Sequence, residues 1–275
     1  MPTYREEYFS LINLKNKYIT PTVIYNLFCY VSGLTKPQLL IKFDSEITNE
    51  NYQKLKDRII AGEPYQYVIG YSEFLGRKFY VDNNVLIPRQ ETEQLVTNLV
   101  AMVTKFFGDK KVKILDIGCG SGCISISLQK LLNCEVFAAD ISQNAINITE
   151  MNAKLNEAKV TTICSDIYDN IHNEKFDVIV SNPPYIESED TIDPQVLKYE
   201  PKLALLAKPN TLYYEKIFSS ANVFLNDRFI LAFEIGEDME EPLMNLVDKY
   251  FPNCNYYFVK DIYKKLRFLY ILKGE

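Results

Sequence analysis

From about residue 90 onward, short β-prone apolar runs alternate with stretches long enough to form a helix. Such alternation is typical of a mostly parallel sheet with helices on both faces, the doubly wound α/β class. The last two runs are separated only by residues 261–265, too short for a crossover helix, so they should pair antiparallel. The seven predicted strands are 112–117, 136–140, 160–165, 176–181, 229–235, 256–260 and 266–272.

The first sixty residues carry a different pattern, with apolar side chains at helical spacing. Breaks at Thr20-Pro21, at 35–37 and at 44–51 indicate several short helices. Between residues 71 and 88 the runs 79–81 and 85–87, joined by 82–84, predict a β-hairpin, with Gly76 marking an earlier turn. We therefore expect three parts: a helical domain over 1–70, a hairpin connector over 71–88 and an α/β domain over 89–275.

Composition removes several classes of function. His172 is the only histidine, so a histidine-rich metal site or a Ser-His-Asp triad cannot be built, and we predict no metal. The six cysteines form no CxxC pair, which favours reduced thiols. A net charge of −6 argues against a large duplex-binding surface, because nucleic-acid affinity depends on phosphate neutralisation. We predict no direct nucleic-acid partner.

The first residues contain charges where a signal peptide needs an apolar run. No uncharged apolar stretch approaches the ~18 residues of a membrane span. We therefore expect a cytoplasmic protein without a membrane partner.

A glycine-rich loop follows the first predicted strand of the α/β region. Its residues Gly118, Cys119, Gly120, Ser121 and Gly122 open a helix, and their backbone can approach a ligand closely. The spacing is GxGxG, whereas a dinucleotide fingerprint needs glycine at the position of Cys123. This spacing favours S-adenosylmethionine over a nicotinamide nucleotide, while another nucleotide or a purely structural turn stays possible at this point.

Acidic residues end the next two predicted strands. Asp140 lies 22 residues after Gly118, where a carboxylate can accept both ribose hydroxyls of a nucleoside. Asp166 is placed to reach an adenine edge, and Ile167 to cover the ring or simply to pack in the core. Cys119 and Cys123 are interpreted as small apolar fillers rather than redox groups, since buried cysteines are usually inert.

The segment Ser181-Asn182-Pro183-Pro184-Tyr185-Ile186 ends the fourth predicted strand, at the sheet edge that carries functional loops. Two prolines fix the backbone and remove two N–H groups. The side-chain carbonyl of Asn182 and the backbone carbonyl of Pro183 can together accept both hydrogens of a planar NH₂ group. Tyr185 offers an aromatic face to the same group. The alternative is that this segment is only a rigid structural turn with no catalytic role.

An amide or aromatic NH₂ nitrogen is a poor nucleophile because its lone pair is delocalised. Two acceptors that bind its hydrogens stabilise the positive charge that develops on nitrogen during methyl transfer. Asn182 and Pro183, with Tyr185, are therefore the candidate catalytic residues. Adenine N6 also presents a planar NH₂, so an adenine-N6 methyltransferase remains the main alternative, and a nucleotide-binding module without catalysis a second.

The sequence resembles the release factor glutamine methyltransferases, the HemK/PrmC family, over nearly everything after residue 62. Besides the glycine loop and the Asn-Pro-Pro-Tyr segment, the resemblance is carried in order by Gly62-Glu63-Pro64, Tyr67, Gly70, Glu73-Phe74, Gly76, Val85-Leu86-Ile87-Pro88-Arg89, Glu91-Thr92-Glu93, Glu200-Pro201 and Glu234-Ile235-Gly236. The connector segment discriminates, because the Asn-Pro-Pro-Tyr loop taken by itself is also found in enzymes that methylate adenine N6 in DNA. Gln90 stands where the family usually has proline, and 208–210 replace a more glycine-rich turn.

The resemblance implies a seven-stranded methyltransferase (Rossmann-like) sheet behind a small N-terminal helical domain and a β-hairpin connector. It implies S-adenosylmethionine as methyl donor and the glutamine of the Gly-Gly-Gln tripeptide of class I peptide-chain release factors as acceptor. The helical domain would help to dock the factor. Arg89 and Glu93 would then lie near the active site with Pro184 and the other loop residues, unless the two simply form a surface ion pair.

Overall fold

A computed structural model describes residues 1–274 of the chain. The described residues form two compact units. The first comprises residues 1–71 with 194–199, and the second residues 72–193 with 200–275, of which Glu275 is outside the description. The predicted division at residues 70 and 88 stays a prediction, because a compact unit need not coincide with a functional domain.

The first unit is helical, as the apolar spacing predicts. Its helices are α1 (Tyr4–Ile12), α2 (Pro21–Ser32), α3 (Lys36–Ile41), α4 (Tyr52–Ile60), α5 (Tyr65–Ile69) and the later α9 (Pro194–Tyr199). Thr3 caps α1 in a capping box with Glu6, and Thr20 caps α2 ahead of a proline in the first turn. The buried faces of α1 to α5 share one core, in which Leu27, Phe28 and Leu39 are almost fully enclosed.

The β-hairpin of the connector is shifted from its predicted position. Strands β1 (Tyr71–Phe74) and β2 (Arg77–Tyr80) pair, and the turn falls at Leu75 and Gly76, both with positive φ. Positive φ at both central residues suits the twist of a two-residue hairpin turn. The predicted strand at 85–87 is wrong: Asp82 closes a side-chain turn on the N–H of Asn84 instead, and the chain continues as a loop.

The second unit contains the predicted seven-stranded sheet. Its strands are β3 (Val112–Ile117), β4 (Cys134–Asp140), β5 (Val160–Cys164), β6 (Phe176–Ser181), β7 (Leu225–Glu234), β8 (Asn255–Lys260) and β9 (Leu266–Lys273). They lie in the order β5-β4-β3-β6-β7-β9-β8, and the first five run parallel. Strand β9 is antiparallel to both β7 and β8, which confirms the predicted terminal hairpin.

Helices cover both faces of this sheet, as the alternating pattern predicts. They are α6 (Gln90–Phe107), α7 (Cys123–Leu131), α8 (Gln143–Leu155), α10 (Leu212–Phe224) and α11 (Glu240–Tyr250). Helices α6 and α7 share one apolar core with the sheet, and α10 and α11 share another. The strand order reverses on the two sides of β3, so the carboxyl ends of β3 and β6 flank the crevice in which such folds bind ligands.

None of the helices among residues 1–274 is both long enough and apolar enough to cross a membrane.

Candidate active site

A cavity of about 310 Å³ opens at the carboxyl ends of the parallel strands in the second unit. This volume falls at the lower end of the range of small-molecule sites. Its wall brings together nearly all of the sequence-predicted residues: Gly118, Cys119, Gly120, Ser121, Asp140, Asp166, Ile167, Asn182, Pro183, Pro184 and Arg89. The glycine loop and the Asn-Pro-Pro segment therefore share one enclosed space.

The glycine loop is tied to the neighbouring strand by its own backbone. The N–H groups of Gly118 and Cys119 both donate to the carbonyl of Ala139, at 2.8 and 3.0 Å. Gly122, at φ 76°, leads into α7 and is not itself part of the cavity wall. A Cβ at Gly122 would come within 2.9 Å of the Thr149 side chain, so the close packing of the loop on α8 requires glycine there.

Asp140 lies at the end of β4 and lines the cavity. One carboxylate oxygen accepts the N–H of Gly120 and the other accepts the N–H of Ser142, both at 2.9 Å. Burial raises the pKa of this carboxyl, and the backbone N–H donors oppose that rise. A carboxylate has about four acceptor positions, so capacity for a ligand remains after these bonds and the further contact with the N–H of Ile141. The arrangement fits the vicinal hydroxyls of a ribose.

Ile167 has an unusual backbone conformation. Its φ is 51°, a left-handed conformation that is rare for a β-branched residue. Ser165 holds this turn, since its hydroxyl donates to the carbonyl of Ile167 and accepts the N–H of Asn170. Ile167 lines the cavity beside Asp166 and also packs against the core. Strain of this kind is concentrated at ligand-binding positions.

The side chain of Asn182 is held by a buried hydroxyl. Its Nδ2 donates to Thr92 Oγ1 at 3.3 Å, and Thr92 Oγ1 donates to Glu234 Oε2 at 2.7 Å. With the NH₂ end bound in the wall, the carbonyl oxygen of Asn182 is the end that remains for a ligand. The preceding Ser181 anchors the segment by donating to the carbonyl of Ile117 at 2.6 Å.

Tyr185 is not among the described residues that line the cavity. Its hydroxyl is hydrogen-bonded to Arg267, and burial raises its pKa to about 12. The ring packs close to Gly236, where an added Cβ would come within 3.4 Å of it. The structure thus places the predicted aromatic face behind the Asn-Pro-Pro segment rather than in the cavity wall.

Arg89 and Glu93 have separate partners. Arg89 lines the cavity and contacts Glu200 through Nη2 at 2.5 Å, while Glu200 also accepts the N–H of Ile87 at 3.1 Å. Glu93 accepts the N–H of Leu75 at 2.6 Å, which stabilises the turn of the hairpin. The ion pair between Arg89 and Glu93 considered from the sequence is therefore replaced by two longer-range contacts.

Several residues of the site are missed by sequence reasoning. Thr92 and Glu234 lie within segments that carry the family resemblance, but neither was assigned a role. The loop at 83–88 and residues of the 201–217 region also line the cavity. The acidic and hydroxyl residues next to Arg89 were the available signal. The partner of Thr92 lies 142 positions away along the chain and the partner of Arg89 lies 111 positions away, so neither could be read from spacing.

Two family models match the chain. A methyltransferase small domain matches residues 91–198, and a PrmC N-terminal domain matches residues 19–70. A release factor glutamine methyltransferase of Bacillus cereus is 38% identical over 251 residues, covering 88% of this chain and 89% of the relative. One of Flavobacterium psychrophilum is 44% identical over 208 residues, covering 73% and 72%.

The chain belongs to the release factor glutamine methyltransferase family. The identity extends across most of both chains, so this family membership covers the helical and α/β regions together.

Solved structures agree with the fold of this family member. A methyltransferase from Pyrococcus furiosus has a TM-score of 0.53 at 18% identity, covering 83% of this chain and all of that one. A ribosomal protein L11 methylase from Lactobacillus delbrueckii subsp. bulgaricus has a TM-score of 0.51 at 19% identity, covering 70% and 82%. At these identities the likeness shows the methyltransferase fold alone.

Proposed function

We propose that this protein transfers a methyl group from S-adenosylmethionine to the side-chain amide N5 of a glutamine. The acceptor is the glutamine of the Gly-Gly-Gln tripeptide in class I peptide-chain release factors. The observation that carries the proposal is one cavity that joins Asp140 and the glycine loop to the Asn182-Pro183-Pro184 segment. Family membership at 38% and 44% identity gives the substrate class.

The end of the cavity at Asp140 suits the nucleoside of the methyl donor. The fixed Asp140 carboxylate would accept ribose hydroxyls, Gly118 to Ser121 would lie against the donor, and Asp166 with Ile167 would hold the adenine; all of these residues line the cavity. When bound, the donor supplies an electrophilic methyl group on a sulfonium. Asp140 is already hydrogen-bonded on both oxygens, so little reorganisation is needed to bind the ligand.

The opposite end of the cavity suits the acceptor amide. Asn182 offers a side-chain carbonyl oxygen, because its NH₂ group is engaged with Thr92. Pro183 has no N–H to compete, and its carbonyl is the proposed second acceptor. Hydrogen bonds to both amide hydrogens strengthen as positive charge develops on the nitrogen, so they stabilise the transition state more than the ground state.

Tyr185 supports this segment from behind, since its ring packs outside the cavity and its hydroxyl is bonded to Arg267. Arg89, which lines the cavity and is neutralised by Glu200, is proposed to help shape the substrate end. Glu93 acts indirectly through the hairpin turn.

The partner in this proposal is a protein, and direct nucleic-acid binding is not required. A net charge of −6 agrees with such a partner. Because peptide-chain release takes place during translation, the proposed reaction belongs in the cytoplasm.

The deciding experiment incubates the purified protein with S-adenosylmethionine and a purified class I release factor, followed by peptide mass spectrometry. We expect one added methyl group on the Gly-Gly-Gln glutamine. A factor whose glutamine is replaced by alanine should gain none. Methyl transfer to DNA adenine instead would support the alternative activity, and cofactor binding without any product would identify a binding module.

A further inference from the structure

We propose that Thr92 and Glu234 are positioning residues that set the direction of the Asn182 amide, so that its carbonyl oxygen faces the substrate. The inference rests on the proposed function and deepens it. The sequence around these residues does not reveal whether the oxygen or the nitrogen of the Asn182 amide points into the cavity.

The direction of the hydrogen bond between Asn182 and Thr92 follows from which of their atoms carry a hydrogen that is free to be donated. Thr92 and Glu234 are both buried, with 3% of their surface exposed. A threonine hydroxyl has a single hydrogen, and in Thr92 it is donated to the Glu234 carboxylate at 2.7 Å. The hydroxyl can then only accept from Asn182, and only Nδ2 of that side chain can donate.

A reversed Asn182 amide would place two acceptors against each other. Its Oδ1 would face Thr92 Oγ1, whose only hydrogen is already committed, and its NH₂ would face the cavity. An NH₂ group in the cavity would repel the two hydrogens of a substrate amide. Burying an unsatisfied acceptor in the wall adds a further free-energy cost to the reversed orientation. The Thr92–Glu234 pair therefore excludes the unproductive orientation.

The constraint depends on the charge of Glu234. Burial raises its pKa to about 7, while hydrogen bonds with Thr92 and Asn182 and the charge of Arg267 oppose that rise. A protonated Glu234 can donate to Thr92, which frees the threonine hydrogen for Asn182 Oδ1 and permits the reversed amide. Turnover should therefore fall as the pH is lowered through about 7 and reach a plateau above it.

The tyrosines, the thiol and the guanidinium that interact with Glu234 have pKa values above that range. Burial raises the pKa values of Tyr185 and Cys123 to about 12 and those of Tyr214 and Tyr270 well above their ordinary value, and Arg267 stays charged. The charged and titratable groups that interact with Glu234 are Arg267, Glu91, Tyr185, Tyr214, Cys123 and Tyr270. Asp116 titrates near 7 elsewhere in the fold, so a Glu234 variant is needed to assign the profile.

The test compares Thr92→Val, Thr92→Ser and Glu234→Gln in the full chain. Thr97→Val is the matched control on the same helix, because the Thr97 hydroxyl is exposed and bonds only to the carbonyl of Glu93. The exposed Glu241→Gln is the control for the carboxylate. Release factor methylation gives kcat and KM between about pH 5.5 and 8.5. Calorimetric titration with S-adenosylmethionine gives cofactor affinity independently of turnover.

We expect Thr92→Val to lower kcat about 10²-fold, the cost of a misplaced catalytic group, with cofactor affinity changed less than tenfold. Thr92→Ser keeps the hydroxyl and should recover most of that loss. The glutamine side chain in Glu234→Gln cannot ionise. This variant should therefore have a lower kcat, and its turnover should no longer fall as the pH is lowered through about 7 (the acidic limb of the profile). Both control variants should keep the kcat and the pH profile of the wild type.

Contrary results separate the two proposals. A wild-type protein that leaves the release factor unmethylated overturns the proposed function and the inference with it. A wild-type protein that methylates the factor, with Thr92→Val matching Thr97→Val, overturns the inference alone. If Thr92→Val fails to fold by thermal denaturation, Glu234→Gln decides, and an unchanged acidic limb in that variant overturns the inference.

Discussion

The carboxylate of Asp140 accepts the backbone N–H of Gly120 at 2.9 Å, which joins the end of β4 to the glycine loop after β3. The same carboxylate accepts the N–H of Ser142. Asp140 therefore organises both walls of the cavity around the position proposed for a ribose. The cavity is consequently shaped in the free protein by a residue that also offers acceptors to the ligand.

Replacing Asp140 by Asn should weaken S-adenosylmethionine binding by about 10- to 100-fold, because a charge-assisted hydrogen bond contributes about 1.5–3 kcal/mol. Calorimetric titration measures this change directly. Asp169→Asn serves as control, since Asp169 is exposed and does not line the cavity. Equal affinities for the two variants would remove Asp140 from the proposed cofactor site.

Asn182→Ala should lower turnover by about 10²- to 10³-fold, the range for losing one preorganised polar contact in a transition state. The substitution removes the side-chain carbonyl and leaves the proline-stiffened backbone in place. Steady-state methylation of the release factor gives kcat. The control Asn147→Ala changes an exposed asparagine of α8. Near-normal kcat in a folded Asn182→Ala protein would contradict the role proposed for this side chain.

Tyr185→Phe should reduce kcat by less than about tenfold and lower the stability of the fold by about 1–2 kcal/mol, the order of one hydrogen bond. The reason is that the hydroxyl bonds to Arg267 and the ring lies outside the cavity wall. Thermal or urea unfolding measures the stability, and a parallel assay measures kcat. A hundredfold loss of kcat at unchanged stability would show that the hydroxyl acts on the substrate directly.

The buried carboxyl of Asp116 should make stability depend on pH. Burial raises its pKa to about 7, although the Ser125 backbone N–H donates to it at 3.1 Å and the Ser125 hydroxyl donates as well. Its folded pKa lies above the unfolded value near 4. The stabilising contribution is therefore complete below about pH 4 and is lost as the pH rises through about 7.

The test of this dependence compares Asp116→Asn with the wild type in urea unfolding at several pH values. The variant cannot ionise, so its stability relative to the wild type should improve between about pH 4 and 8, by an amount on the order of a few kcal/mol. A constant difference across that range would mean that Asp116 titrates normally in the folded protein.

The strands of the sheet could be predicted from the chain alone because each is a short run of β-prone residues bounded by polar or turn-forming ones, although the edge strands β5 and β8 are only partly buried. Residues 112–117 and 176–181 were predicted with the bounds that the structure gives. The mostly parallel sheet and its terminal antiparallel pair followed from the lengths of the connections, whereas the order of the strands came from the structure. The glycine loop and the Asn-Pro-Pro segment were found because their spacing is local.

The connector shows where local pattern fails. The run at 85–87 is as apolar as a strand, yet Ile87 gives its N–H to the carboxylate of Glu200, 113 positions away, instead of to a neighbouring strand. The hairpin formed earlier, at Leu75 and Gly76, where the backbone could adopt positive φ. Val85 and Ile87 are buried, as their apolar character suggests. The conformation of this segment was decided by the hydrogen bond between the Ile87 N–H and Glu200.

The sequence by itself determined the sheet, the helical region and the residue types that can hold a nucleoside and a planar NH₂ group. Only the tertiary structure decided how those side chains are oriented. Thr92, Asn182 and Glu234 lie far apart in the chain, and their hydrogen bonds form because α6, β6 and β7 pack side by side. The direction of a hydrogen bond depends on every group that shares it, and spacing along one chain carries no record of those groups.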